Sequence, residues 1–367
     1  MKILADATLP HLDLAFPAPF KITYYHSLGE LFSLLPNQSI LVCRSTLKVN
    51  NTLLAQATAL EYIGTASSGS DHIDKKALLN KNIQLFDAQG SNALAVADYV
   101  IATLAFLEEH VGFNIKKAGI IGVGAVGTEI SRRLNYLGYD LVHYDPLKQL
   151  KEPTFQSASL SELSDCPLIC VHANLHKSPV YPSYHLINEN FLSKLPHKSV
   201  IINAARGGIV DEAALLTNKN KIFYCTDVFS DEPAINPAIV QYATLCTPHI
   251  AGHSKEAKDN AIFLLSKKIH EALSLPLPNF QGASTRCPLA LPAINTNWQD
   301  WISHLYSPYP ETIALKTSVE TLPDQDSNLR EALSNTFLTL RAAHRNRHDF
   351  CRYAVEGHRF EHLVGKN

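Results

Sequence analysis

An apolar run, Ala118-Gly119-Ile120-Ile121, leads into Gly122-Val123-Gly124-Ala125-Val126-Gly127; a stretch of helical composition, Glu129 to Leu137, then precedes Asp140-Leu141-Val142-His143-Tyr144-Asp145. Strand, glycine turn, helix and strand in that order make a βαβ unit, which commits this part of the chain to a parallel sheet. Glycines also cluster in ordinary turns. In a dinucleotide-binding turn, though, the three glycines act differently. Gly122 makes the tight turn, Gly124 lets backbone approach a pyrophosphate, and Gly127 lets the helix lie against the strand. The phosphates would then sit at a helix N-terminus. Asp145 lies 18 residues past Gly127, close to the ~20 at which a carboxylate meets the ribose hydroxyls. An acid there repels a 2′-phosphate, so NAD is favoured over NADP.

The pattern repeats. Leu168 to Val171, Ser199 to Ile202, Ile222 to Cys225 and Thr244 to Cys246 read as further short strands, with helical segments such as Asn190 to Leu195 and Asp211 to Leu216 between several of them. Upstream, Met1 to Asp6, Ile40 to Cys43, Tyr62-Ile63 and Ile83 to Phe86 are short apolar runs ending in polar loops, as parallel strands do at their carboxyl ends. Two long helices are expected, one from Asn92 through Leu107 and one from Ser254 to Leu273 with Ala261, Leu264, Leu265, Ile269 and Leu273 on one face. A chain of 367 residues exceeds one small core. The layout predicts two Rossmann-like, doubly wound parallel-sheet domains: residues 1–92 with 256–280 as the substrate-binding lid, and 93–255 as the NAD-binding domain. After Leu275 prolines crowd together and the texture changes, so 281–367 reads as a separate C-terminal unit.

Three segments downstream carry chemistry: Asn203-Ala204-Ala205-Arg206-Gly207-Gly208, Asp231-Glu232-Pro233, and Thr247-Pro248-His249-Ile250-Ala251-Gly252. Alone, each has a plain reading, as a surface arginine, a solvated acid and a loop histidine. All three, however, follow strands of one sheet and so meet at the edge where an α/β fold binds its ligand. A guanidinium there can hold a carboxylate in two-pronged geometry. A carboxylate beside an imidazole favours imidazolium, which suits a base that must carry a proton between half-reactions. Oxidation of a hydroxy acid by a nicotinamide cofactor needs that set.

Other classes find little support. The formal net charge of −2 supplies no global field for nucleic acid or an anionic membrane, and no window is long and apolar enough to span a bilayer, which points to the cytoplasm and a small-molecule partner. Seven cysteines suit reduced thiols, and Cys166 with Cys170 lacks a matching second pair, so both read as strand cysteines rather than metal ligands. His172 with His176 and His344 with His348 enclose no zinc-protease glutamate, and no catalytic metal is expected. The basic run Arg341, Arg345, Arg347 and Arg352 reads as a solvated helix face or a subunit contact.

With these motifs the chain resembles the D-isomer specific 2-hydroxyacid dehydrogenases. Met-Lys-Ile-Leu-Ala-Asp at the start, Val-Cys-Arg-Ser-Thr-Leu-Lys-Val-Asn at 42–50, Gly-Thr-Ala-Ser-Ser-Gly-Ser-Asp-His-Ile-Asp at 64–74 and the C-terminal extension make it similar to the branch that acts on 4-phospho-D-erythronate. That resemblance implies that Arg206, Glu232 and His249 are catalytic, with His249 as acid and base. It implies that NAD is lined by Gly122, Gly124, Val126, Gly127, Asp145, Ala204, Arg206, Asp227 and Gly252, and the phosphorylated hydroxy acid by Ser45, Ser67 and His253. It implies too a place in pyridoxal 5′-phosphate synthesis and a small α+β domain at 281–367 that makes a homodimer. Serine at 67 replaces a customary threonine and histidine at 253 a customary tyrosine. At the cofactor rim, His172-Ala173-Asn174 stands where a threonine-proline pair is usual, so one hydroxyl contact to NAD is expected to be missing. A relative acting on 3-phosphoglycerate and an NAD-sensing binding protein are the alternatives.

Overall fold

The computed structural model describes residues 1–280, 297–322, 328–345, 347–353 and 360–364. The chain divides into two compact units, Met1–Asn92 with His253–Arg286, and Ala93–Gly252 with Cys287–Asn367.

The first unit is a five-stranded sheet of β1 (Lys2–Asp6), β2 (Lys21–Tyr25), β3 (Ile40–Cys43), β4 (Tyr62–Thr65) and β5 (Gln84–Asp87), in the order β2-β1-β3-β4-β5. Every pairing is parallel, with Val42 opposite Ala5 on one side and Gly64 on the other. All four residues of β3 are buried, because both faces of this central strand are covered. The helix Lys255–Ala272, capped by Ser254, buries Ala261, Ile262, Leu265 and Ile269 in a cluster with Ile3, Ala5, Ile40 and Val42. The strand order reverses between β1 and β3, and the loops after β3 and β4 carry Ser45 and Ser67.

The second unit holds β6 (Lys117–Ile121), β7 (Asp140–Tyr144), β8 (Leu168–Val171), β9 (Val200–Asn203), β10 (Phe223–Thr226) and β11 (Leu245–Cys246), all parallel, in the order β11-β10-β9-β8-β6-β7. The order turns back at β6, so the glycine turn that follows it lies at the switch point. Cys170 within β8 and Cys166 just before it are buried free thiols, pushed up to about 12 and about 11 by burial. The helix Ala93–Phe106 is buried from Ala95 through Ala105, as an element with no polar stripe must be. It continues as a wider turn, Leu107–Val111, closed by Gly112 at φ 73°.

Helices Trp298–Leu305, Tyr309–Glu320 and Leu329–Ala343 follow. Trp301 and Ile302 join the core beside Ala93–Phe106, whereas Leu315, Val319, Leu333 and Phe337 join the core on the sheet's opposite side. The basic run departs from its expected place. Arg345 is exposed, but Arg352 is buried and the Arg347 side chain is only 7% exposed, 3.7 Å from the wholly buried carboxylate of Asp98, whose nearer partner is the buried Arg133. Among the described residues, no helix is long and apolar enough to cross a membrane, and no group of His, Cys, Asp and Glu could hold a metal ion.

Candidate active site

The three glycines of the turn have different neighbours. Gly122 has φ 85° and donates its N–H to Tyr144 O at 2.9 Å; a Cβ there would come within 2.5 Å of the Ala173 nitrogen. A Cβ on Gly127 would run into the Gly122 carbonyl oxygen, so its absence lets the helix Ala125–Tyr136 sit on β6. A Cβ on Gly124 would meet nothing within 4 Å. Packing therefore does not explain Gly124. Its exposed backbone caps that helix with no side-chain acceptor, leaving the first-turn N–H groups for an anion. Val126 is half-buried beside it.

Asp145 follows β7 and is fastened at two points: Oδ2 accepts from Val123 N at 2.8 Å and Oδ1 from Lys148 N at 2.9 Å. Lys148 Nζ donates to Val123 O at 3.0 Å. The acid is thereby locked to the glycine turn, with lone pairs left for a diol. These residues fit a dinucleotide: an open backbone approach, free helix N–H groups and a held carboxylate.

After β9, the buried Asn203 shapes the turn, since its Nδ2 donates to Arg206 O at 3.1 Å and its Oδ1 accepts from Ala205 N at 3.2 Å. Arg206 is half-buried and donates from Nη1 to Ala205 O at 2.7 Å. Gly207 is required because a Cβ there would overlap the Phe229 carbonyl.

Glu232 and His249 meet directly. Glu232 Oε2 lies 2.6 Å from His249 Nδ1, and Glu232 Oε1 accepts from Phe229 N at 2.8 Å. Burial alone would raise the Glu232 carboxyl, but the charge that His249 carries when protonated and these hydrogen bonds hold it below the usual carboxylate range. With Nδ1 occupied, Nε2 is the nitrogen left for a substrate. His249 is at φ 57°, a left-handed conformation uncommon for a residue with a Cβ. Asp227, at the end of β10, supports that loop: Oδ1 accepts from Thr247 Oγ1 and Ile250 N, each at 2.7 Å, and Oδ2 from Ala251 N at 2.8 Å. Thr247 Oγ1 lies 2.8 Å from the Tyr99 hydroxyl. Sequence reasoning missed Thr247 and Tyr99, since a buried hydroxyl pair 148 residues apart leaves no local pattern.

Two more ionisable groups flank the loops. Glu212 Oε1 accepts from Ser230 N at 3.1 Å, and burial, followed by the nearby Asp231 and Glu232, raises its carboxyl to about 7. His172, after β8, is driven down to about 3 by burial, and both its ring nitrogens lack partners among the described residues. Ala204 and Gly252 are half-buried beside Arg206 and the histidine loop. In the first unit, the Ser68 hydroxyl donates to Asn92 Oδ1 at 2.6 Å. Ser45 is exposed, Ser67 is half-buried with its hydroxyl unclaimed among the described residues, and His253 is half-buried at the head of Lys255–Ala272.

Residues 97–251 match the family model for the D-isomer specific 2-hydroxyacid dehydrogenase NAD-binding domain. Over 353 residues the chain is 48% identical to an erythronate-4-phosphate dehydrogenase of Legionella pneumophila, covering 96% of both proteins. The chain belongs to the erythronate-4-phosphate dehydrogenase family. The Coxiella burnetii member of that family is 34% identical over 346 residues, covering 90% of this chain and 91% of the relative. Among solved structures, NAD-bound 3-phosphoglycerate dehydrogenase from Entamoeba histolytica superposes with a TM-score of 0.64 at 22% identity, over 77% of this chain and 98% of that one. That similarity is one of fold, and it extends to an NAD-dependent formate dehydrogenase from Staphylococcus aureus at a TM-score of 0.59 and 22% identity, over 78% of this chain and 99% of that one.

Proposed function

We propose that this chain is an NAD-dependent dehydrogenase that oxidises the C2 hydroxyl of 4-phospho-D-erythronate to the 2-oxo acid, a step toward pyridoxal 5′-phosphate. The observation that carries the chemistry is the 2.6 Å contact between Glu232 and His249 at the sheet edge that also bears the glycine turn. Full-length identity of 48% to a relative of that name supports the substrate. Bound NAD supplies a hydride acceptor. His249 Nε2 takes the C2 hydroxyl proton as the C2 hydrogen leaves with its electron pair, and Glu232 stabilises the imidazolium that results. Arg206 turns from Ala205 O to hold the substrate carboxylate and polarise the forming carbonyl. Ser45, Ser67 and His253 contact the substrate; Asp145 holds the ribose, and the open backbone at Gly124 admits the pyrophosphate. The active form is a cytoplasmic homodimer built through residues 281–367.

The test is a side-by-side comparison of kcat/KM for 4-phosphoerythronate and 3-phosphoglycerate. The first should exceed the second by at least about 100-fold, the scale of discrimination that paired polar contacts provide. Equal rates, or preference for 3-phosphoglycerate, would overturn the substrate, and NAD binding without turnover would overturn the enzyme.

A further inference from the structure

The backbone of Ala251, two residues beyond His249, is held at both its N–H and its carbonyl. Its N–H is bound by Asp227 Oδ2 at 2.8 Å. Its carbonyl accepts from Arg347 Nη2 at 2.7 Å, and that same nitrogen also donates to Ala95 O at 2.7 Å. Arg347 comes from the C-terminal extension, far from every motif that marks the site. Its guanidinium lies 3.7 Å from Asp98 Oδ2 and 4.9 Å from the ring centre of Tyr306. Tyr306 in turn lies beside Tyr99, with ring centres 6.4 Å apart, and the Tyr99 hydroxyl bonds Thr247.

We propose that Arg347 is a positioning residue for the acid–base loop, coupling the C-terminal extension to His249. The backbone at His249 is left-handed, a conformation that a residue with a Cβ keeps only where surroundings over-determine it. Asp227 fixes the loop through the Ile250 and Ala251 N–H groups and the Thr247 hydroxyl, and none of these contacts reaches a loop carbonyl. Arg347 supplies the complementary donor. A planar, permanently charged fork can span two carbonyls and a carboxylate from fixed positions, whereas a lysine presents a single point charge on a flexible stem. Losing this grip lets the Ala251–Gly252 peptide rotate and the imidazole drift from the C2 hydroxyl. A displacement of about 1 Å costs on the order of 100-fold in rate.

The proposal rests on His249 being the acid–base group, so its test has a readout that needs no substrate. Arg347→Met is compared with Asp98→Asn/Arg347→Met: in the first Asp98 keeps the buried Arg133 as its nearer partner, and in the second Arg133 keeps Glu129 and can donate to the asparagine oxygen. Amide hydrogen exchange of Ile250 and Ala251, and kcat, are measured in both. Exchange should quicken at least about tenfold at 247–252 in both variants, with β6 and β9 unchanged. Where turnover is measurable, kcat should fall about 10- to 100-fold with NAD affinity within about threefold of the parent. Unchanged exchange at 247–252 would overturn the proposal, and so would wild-type protection restored in the double variant, which would reduce Arg347 to a counter-ion for Asp98. A wild-type protein inactive toward 4-phosphoerythronate would refute the substrate reading while the exchange result still decides the role of Arg347.

Discussion

Replacing Glu232 with glutamine isolates the charge of the dyad from its shape. The glutamine oxygen can still accept from Phe229 N, so the loop should keep its course. What disappears is a negative charge 2.6 Å from His249 Nδ1, with side chains 21% and 29% exposed. Taking charge centres about 4 Å apart and an effective dielectric of about 20, the attraction is about 4 kcal/mol. Partial exposure halves this to about 2 kcal/mol. The imidazolium forms only as the proton transfers, so the loss falls on the transition state, and about 2 kcal/mol corresponds to about 30-fold in kcat. The amide can also donate to Nδ1, placing the ring proton on Nε2 where it blocks base action; that deepens the loss toward about 10⁴-fold. Steady-state kinetics with 4-phosphoerythronate, together with NAD titration of the same preparation, separates these outcomes. A loss under about threefold in a folded, NAD-binding variant would refute the reasoning.

Gly124→Ala should leave the melting temperature within about 2 °C of the parent while weakening NAD binding at least tenfold, because the new methyl meets open space in the protein and intrudes only on the cofactor. Gly127→Ala should instead destabilise the fold by about 1–3 kcal/mol, since its methyl would strike the Gly122 carbonyl; thermal scans and NAD titration read both variants. Glu212 binds a proton more tightly folded than unfolded, with its carboxyl raised from 4.5 to about 7. Its contribution is therefore full below about 4.5 and lost as pH rises through about 7, amounting to about 3 kcal/mol. Glu212→Gln should abolish that decline, so urea unfolding at pH 8.5 should find the variant more stable than the parent, and at pH 5 nearly equal.

Much of this protein is legible locally. The period and order of apolar runs suffice to announce two parallel sheets, because a strand covered on both faces must be apolar throughout, as β3 and β8 are. The glycine turn and the segments of Arg206, Glu232 and His249 are legible for a related reason: parallel strands deliver their carboxyl ends to one edge of the sheet. Local composition was less reliable for the C-terminal basic run. Its spacing resembles a solvated face, yet burial is set by the facing element, and Asp98 lies some 250 residues earlier in the chain.

What the amino-acid sequence determined alone was the reaction class, from a glycine turn, an acid after the next strand, a cation, a carboxylate and an imidazole, each recognisable from a few adjacent residues. Only the tertiary structure decided how those groups are held. Asp227 proves to be a clamp on the histidine loop, the second clamp comes from Arg347, and Gly124 differs from its two neighbouring glycines in facing open space. The physical reason is range. A turn or a strand is dictated by residues within a few positions, whereas a hydrogen bond that fixes a backbone carbonyl depends on which distant donor the folded chain brings to it.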